Sequence, residues 1–166
     1  DFNVDDFFVV PEPLIQKQFS RIMSLKDGLK KMSKSELSDL SRINLTDSKD
    51  EIINKIKKAK TDPLPIPSSI DELNKRPEAK NLIVIYSSLS EMSIEKTIEK
   101  FSGKNFSEFK TELSRILVDK ISPISVEIRK LLKEKDYIDK ILIEGSKKAN
   151  QISSEKIKKI HKIIGF

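Results

Sequence analysis

The chain has 166 residues, a formal charge of +6 and a hydrophobic fraction of 37%, enough apolar material for one domain or two small ones. It has no cysteine and a lone histidine, His161, which excludes disulfides, thiolate zinc sites and multi-histidine metal centres, so no metal site is expected on the chain itself. The longest uninterrupted apolar run, Leu82 to Tyr86, is far too short to cross a bilayer. With no basic-then-apolar signal segment at its start, the chain is expected to be cytoplasmic and away from membranes.

The elements follow in chain order. Phe7-Phe8-Val9-Val10, closed by Pro11-Glu12-Pro13, reads as a short strand or extended segment. So does Arg21-Ile22-Met23-Ser24-Leu25. Residues 27–41 are rich in Lys and Ser without a sustained period, and predict a loop with at most a helical turn. Ser48-Lys49-Asp50-Glu51 has the spacing of a capping box. Ile52, Ile53, Ile56 and Ala59 continue it as a helix ending near Lys60. Pro63, Pro65 and Pro67 forbid helix and make a stiff linker. Pro77 suits the first turn of the next helix, whose Leu82, Ile83, Ile85, Tyr86 and Leu89 are apolar on several sides and predict a central position. Ser93 caps a short helix that Gly103 ends. A helical stripe then runs from Phe106 to Leu131 with a kink expected at Pro123. Asp136 is expected to cap a last helix reaching Ile164, in which Gly145, Ser146 and Ala149 would admit a close neighbour.

This order predicts a small mixed segment up to about Leu45 and an all-helical remainder. Two short strands do not stand alone, and the first residue is Asp1 rather than Met. A partner sheet upstream of Asp1 is therefore expected. Charge is uneven as well: residues 1–19 carry −3, which leaves +9 on the rest. Such a basic excess attracts polyanions, nucleic acid foremost.

One short motif carries chemistry. Lys31-Met32-Ser33-Lys34-Ser35 spells KMSKS, after a strand candidate and before a helical domain. Two ammonium groups on a mobile loop can fold over a polyphosphate as charge passes to its leaving group, two hydroxyls add hydrogen bonds, and Gly28 offers a hinge. In this position the motif resembles that of class I aminoacyl-tRNA synthetases.

Further segments resemble bacterial tryptophanyl-tRNA synthetases nearly end to end: Val10-Pro11-Glu12, Asn44-Leu45-Thr46-Asp47, Ile56-Lys57-Lys58-Ala59, Thr61-Asp62, Asn81-Leu82 through Ser87, Glu144 to Asn150, and Ile164-Gly165-Phe166. Departures include Glu36, where the family usually has Asp, and Pro63, where it has Ser. The resemblance implies a mainly α chain: a short α/β remnant of a Rossmann nucleotide-binding domain with the KMSKS loop over residues 1–46, then an all-helical anticodon-binding domain over 47–166. It implies catalytic roles for Lys31 and Lys34 and an ATP-binding set of Ile22, Lys31, Met32, Ser33, Lys34 and Ser35, with Ile22 meeting adenine through its backbone. The implied activity is ATP-dependent activation of L-tryptophan and its transfer to tRNA(Trp), with Mg2+ sharing the phosphate charge. The implied partners are ATP, L-tryptophan, tRNA(Trp) and the N-terminal half of the same enzyme, a homodimer at full length. The HIGH signature of class I enzymes is missing from the sequence, so the chain alone is expected to be inactive. The alternative is a non-catalytic basic helical module that binds tRNA or other RNA. Lys55, Lys58, Lys75, Arg76, Arg115 and Lys147 are all open as tRNA contacts.

Overall fold

A computed structural model describes residues 7–15 and 19–165. Asp1 to Asp6, residues 16–18 and Phe166 lie outside the described residues, and with them the last residue of the Ile164-Gly165-Phe166 match. The chain is mainly helical: a 3-10 turn, Asp39–Ser41, is followed by α1 (Lys49–Lys57), α2 (Ile70–Asn74), α3 (Pro77–Ser90), α4 (Ile94–Phe101), α5 (Phe106–Leu131) and α6 (Lys135–Ile164). Among the described residues the extended segments form a single antiparallel bridge, Met23 to Lys31. Phe7 to Val10 forms no strand: among the described residues no strand lies beside it to take its backbone groups, and Val9 and Val10 are exposed.

The chain divides into two compact units, one of residues 15–128 and one of residues 1–14 with 129–166. The larger unit is built on local signals the sequence carries. Ser48 Oγ accepts from Glu51 N, and the Glu51 carboxylate accepts from Ser48 N at 2.7 Å, a complete capping box that starts α1. Burial of Ile52 and Ile56 fixes the inner face of α1. Its last helical residue is Lys57, short of Lys60, and Ala59 is buried in the turn beyond. Pro77 occupies the first turn of α3, and residues 81–87 are all buried, as a central helix requires. Ser93 caps α4, and Gly103 takes φ +73°, the left-handed backbone that favours glycine. α2 was not expected, although Ser69 and Glu72 repeat the Ser-x-x-Glu signal: Ser69 Oγ accepts from Glu72 N at 3.2 Å.

The core gathers Tyr86, Phe101, Phe106 and Phe109, with edge-to-face pairs at 4.9 Å between Tyr86 and Phe101 and between Phe101 and Phe109. Each such pair adds about 0.5–1.5 kcal/mol beyond area burial. Ile52, Ile56, Leu82, Ile83 and Leu113 are among the aliphatic residues packed with them. α1 and α5 run antiparallel. Lys110 Nζ donates to the Ala59 carbonyl at 2.7 Å beyond the end of α1, while Ser125 Oγ donates to Thr46 O before its start. The ammonium at 110 thus satisfies carbonyls that α1 leaves unpaired, and burial lowers its pKa.

The smaller unit is built differently. α6 has 30 residues and none is buried. Glu134 takes the N-cap position, and Asp136 stands in the first turn instead of capping it, where its charge still suits the helix dipole. Gly145 has open space around it, and Ser146 and Ala149 are exposed. Lys156 Nζ donates to the Phe7 carbonyl and sits 3.9 Å from the Phe7 ring centroid, tying the first described residues to α6. No described helix is long and apolar enough to cross a membrane.

Candidate functional site

The KMSKS residues sit on a loop that is tied at both ends and free at its tip. Upstream, Ser24 N donates to Lys30 O at 2.8 Å and Met32 N to Ile22 O at 3.0 Å, so residues 22–32 form a narrow antiparallel turn. An Asx turn closes it, with Leu29 N donating to Asp27 Oδ1 at 3.0 Å. The turn is fastened to the helical core by Asn81 of α3. Its buried amide accepts from Met23 N at 2.9 Å and donates to Met23 O at 2.8 Å, pairing with that residue as a neighbouring strand would. Leu25 adds two backbone bonds, to Ser41 O and from Lys60 N.

Gly28 is buried against the start of α3. A Cβ there would lie 2.5 Å from the Pro77 carbonyl carbon, so this glycine serves close packing. A glycine packed this closely makes a poor hinge, and the residues that follow Met32, 33–37, are exposed.

Downstream, a charged network holds the chain as it leaves the loop. Arg42 Nη1 donates to Glu36 O at 2.9 Å and Arg42 Nη2 pairs with Asp39 at 3.0 Å. Lys55 of α1 is almost fully buried and reaches both Asp39 (2.6 Å) and Asp47 (2.7 Å). Asn44 bridges the same two carboxylates. Burial opposes the Lys55 charge, but the hydrogen bonds to Asp39 and Asp47 outweigh it and raise its pKa. The bond from Lys55 holds the Asp39 carboxyl below its usual value.

Between these anchors the structure sorts the predicted site residues into two groups. Ile22 and Met32 are partly buried, hydrogen-bonded to each other through the backbone, and packed on the core. The Ile22 carbonyl is therefore committed to Met32. Lys31, Ser33, Lys34 and Ser35 are exposed. Ser33 Oγ accepts from Ser35 N at 3.2 Å and lies 2.9 Å from Ser35 Oγ, which rounds the tip. Lys31 and Lys34 stand among the described residues without an ion pair, unlike Lys30, which faces Asp27. The tip offers only ammonium and hydroxyl donors, a set that suits phosphate oxygens and not a metal cation.

The structure also sorts the open list of tRNA contacts. Lys55 is spent on its two carboxylates. Arg76 is buried and forks onto Asp62 (2.9 and 2.5 Å), with further bonds to Pro65 O and Glu72. It staples the proline linker to the start of α3. Lys58, Lys75, Arg115 and Lys147 are exposed. Asn81, Arg42 and the Lys55 cluster are functional supports that sequence reading missed. Asn81 stood inside a matched segment and Asp47 closed another, but a polar residue in a matched segment does not name its partner.

Comparison with known proteins gives these residues a context. Residues 1–121 match the family described as tRNA synthetases class I (W and Y). The chain is 47% identical over 164 residues to the tryptophan–tRNA ligase of Mesorhizobium japonicum, covering 99% of this chain and 46% of that protein. It is 43% identical over 166 residues to that of Caulobacter vibrioides, covering 100% of this chain and 48% of that one. The chain spans about half the length of the curated relatives it matches. The crystal structure of tryptophanyl-tRNA synthetase from Mycoplasma pneumoniae has the same fold, with a TM-score of 0.76 at 24% identity over 91% of this chain and 45% of that chain. The family match takes in the loop, both of its anchors and the helical core, and on that ground the chain belongs to the class I tRNA synthetases, in the group of the W and Y enzymes.

Proposed function

We propose that this chain is the C-terminal part of a tryptophan–tRNA ligase: it brings the KMSKS loop to ATP and the helices that receive the tRNA. The observation that carries the reading is the pair of exposed ammonium groups, Lys31 and Lys34, on a tip whose two flanks are fastened to buried residues. In adenylate formation a tryptophan carboxylate oxygen attacks the α-phosphorus of ATP. The bond from that phosphorus to the bridging oxygen breaks, and pyrophosphate leaves with the negative charge. No proton has to move, so catalysis rests on placing positive charge where negative charge builds up. Lys34 meets the leaving phosphates with Lys31 in support, Ser33 and Ser35 add donors, and Met32 with the Ile22 backbone borders the adenine. Mg2+ would share the phosphate charge, and residues 31–35 themselves supply no carboxylate to hold it.

On this reading residues 1–46 close the catalytic domain and residues 47–166 are the anticodon-binding domain. The N-terminal half, with the HIGH motif and the tryptophan pocket, completes the site, and the full-length protein is a cytoplasmic homodimer. Support for a missing half comes from α6, where Ile141, Leu142, Ile152 and Ile157 are all more than 45% exposed. Apolar side chains this exposed along one helix suit a surface that another part of the protein covers. The test is ATP–pyrophosphate exchange by the full-length protein. Exchange that depends on tryptophan and not on tyrosine supports the reading. RNA binding with no exchange for either amino acid would favour the non-catalytic module.

A further inference from the structure

The tip of the loop is held from its two sides by unlike means. Upstream the hold is backbone, with Met32 N donating to Ile22 O at 3.0 Å. Downstream it is one side chain: Arg42 Nη1 donates at 2.9 Å to the carbonyl of Glu36, the residue directly after the motif. We infer that Arg42 is a positioning residue for adenylate formation, fixing the chain as it leaves the tip and so setting where Lys34 meets the leaving phosphates. The inference rests on the ligase reading and adds to it a residue that acts through Lys34 without touching ATP.

Arg42 is not free to bind phosphate itself. Its guanidinium spends all three nitrogens inside the protein: Nη1 on Glu36 O, Nη2 on Asp39 Oδ1 at 3.0 Å and Nε on Asn44 Oδ1 at 3.1 Å. Its side chain is 17% exposed, whereas Lys31 and Lys34 stand in solvent. A planar guanidinium fixes the directions of its partners as an ammonium does not. These bonds therefore set an orientation as well as a distance.

The rigidity of that arm comes from its route to the core. Asp39 takes Arg42 on one carboxylate oxygen and Lys55 on the other, the latter at 2.6 Å. Lys55 is held in turn by the buried Asp47. Asn44 donates to both carboxylates while it accepts from Arg42. Two cations and two carboxylates thus balance, and a run of charge-assisted bonds connects α1 to the loop.

The geometry also says what loss of Arg42 would do. With it in place, residues 33–35 lie between the two holds, and Lys34 is the middle one. Without it, the next carbonyl held downstream among the described residues is Ser38 O, which accepts from Ser41 N at 3.0 Å. The untied stretch then grows to residues 33–37. Two more residues add about 7 Å of reach, while a misplacement of about 1 Å at a reacting group can cost about a hundredfold in rate.

The test is tryptophan-dependent ATP–pyrophosphate exchange by the full-length protein, in a double-mutant cycle of Arg42→Ala with Lys34→Ala. Arg42→Ala alone is expected to lower kcat about tenfold or more, with KM for tryptophan unchanged. In the Lys34→Ala background the same change should matter less than about twofold, because the group it positions is gone. Arg42→Lys keeps the charge but loses the fork. It should fall as Arg42→Ala does, and it takes over the cycle if Arg42→Ala does not fold. Thermal unfolding checks that each variant is folded at the assay temperature. An equal loss in both backgrounds, or the parental rate in either Arg42 variant, would overturn the inference and leave the ligase reading standing. Absence of exchange by the unaltered protein would remove both.

Discussion

α3 and α6 both carry apolar residues at close intervals, yet they end in opposite states. In α3 seven consecutive residues, 81–87, are buried, and its neighbours are fixed by aromatic contacts and by the Asn81 amide. In α6 the apolar residues stand in water, with Ile152 at 74% exposure. Helical period announces that a face is to be covered, but not what covers it. α3 is covered by elements a few dozen residues away in the same unit, whereas the cover proposed for α6 lies upstream.

The sharpest way to break this contrast is truncation of the two kinds of side chain. Phe109→Ala, at 0% exposure, should cost about 3–5 kcal/mol. Ile152→Ala in this chain should stay within about 0.5 kcal/mol. Denaturant titration reads both. Repeated on the full-length protein, the cost at Ile152 should rise to about 2 kcal/mol or more if the upstream half covers it.

Next in size is the Arg76 staple. Arg76→Ala should cost about 3 kcal/mol because it strands the partly buried Asp62 carboxylate and frees the proline linker. Thermal unfolding would show it, and a loss below 1 kcal/mol would demote the staple to a surface ion pair.

Asn81→Ala removes both bonds to Met23 and should cost about 2 kcal/mol. Hydrogen exchange at the Met23 amide should quicken in step, since that amide loses its acceptor.

The smallest effect is the pH response of the loop's downstream anchor. The hydrogen bond from Lys55 holds the Asp39 carboxyl below its ordinary 3.8, so the stability it contributes is present above that pH and disappears as pH falls through the lowered value. Lys55 lies above 10.5, so its contribution is present below that pH and disappears as pH rises through the raised value. Between these limits the anchor should be indifferent to pH. An acid transition that Asp39→Asn leaves unshifted would contradict this.

Much of the helical fold was legible, because its signals are local. Ser48 and Glu51, Pro77, Ser93 and Gly103 each mark a helix boundary within four residues of the group they satisfy. α2 escaped because five residues give too little period to notice, although Ser69 and Glu72 announced it. Asp136 failed as a cap because the helix begins two residues earlier than such a cap would place it, at Lys135 with Glu134 as N-cap, where the charge pattern differs little. The motif itself was legible as a string, and its two lysines emerge exposed. Its supports were not, because Asn81 lies 58 residues from Met23 and no local period links them. Lys55 and Arg76 looked like tRNA contacts for the same reason: a sequence shows a charge and not the carboxylate folded over it.

On the proposed reading the exposed ammonium groups of the tip, Lys31 and Lys34, act on the triphosphate of ATP. Tryptophan-dependent ATP–pyrophosphate exchange by the full-length Lys34→Ala variant tests it most directly, with tryptophan affinity measured alongside. Exchange is expected to fall about a hundredfold or more, the scale of one lost charge-stabilising group, with tryptophan binding preserved. Exchange at the unaltered rate would contradict it.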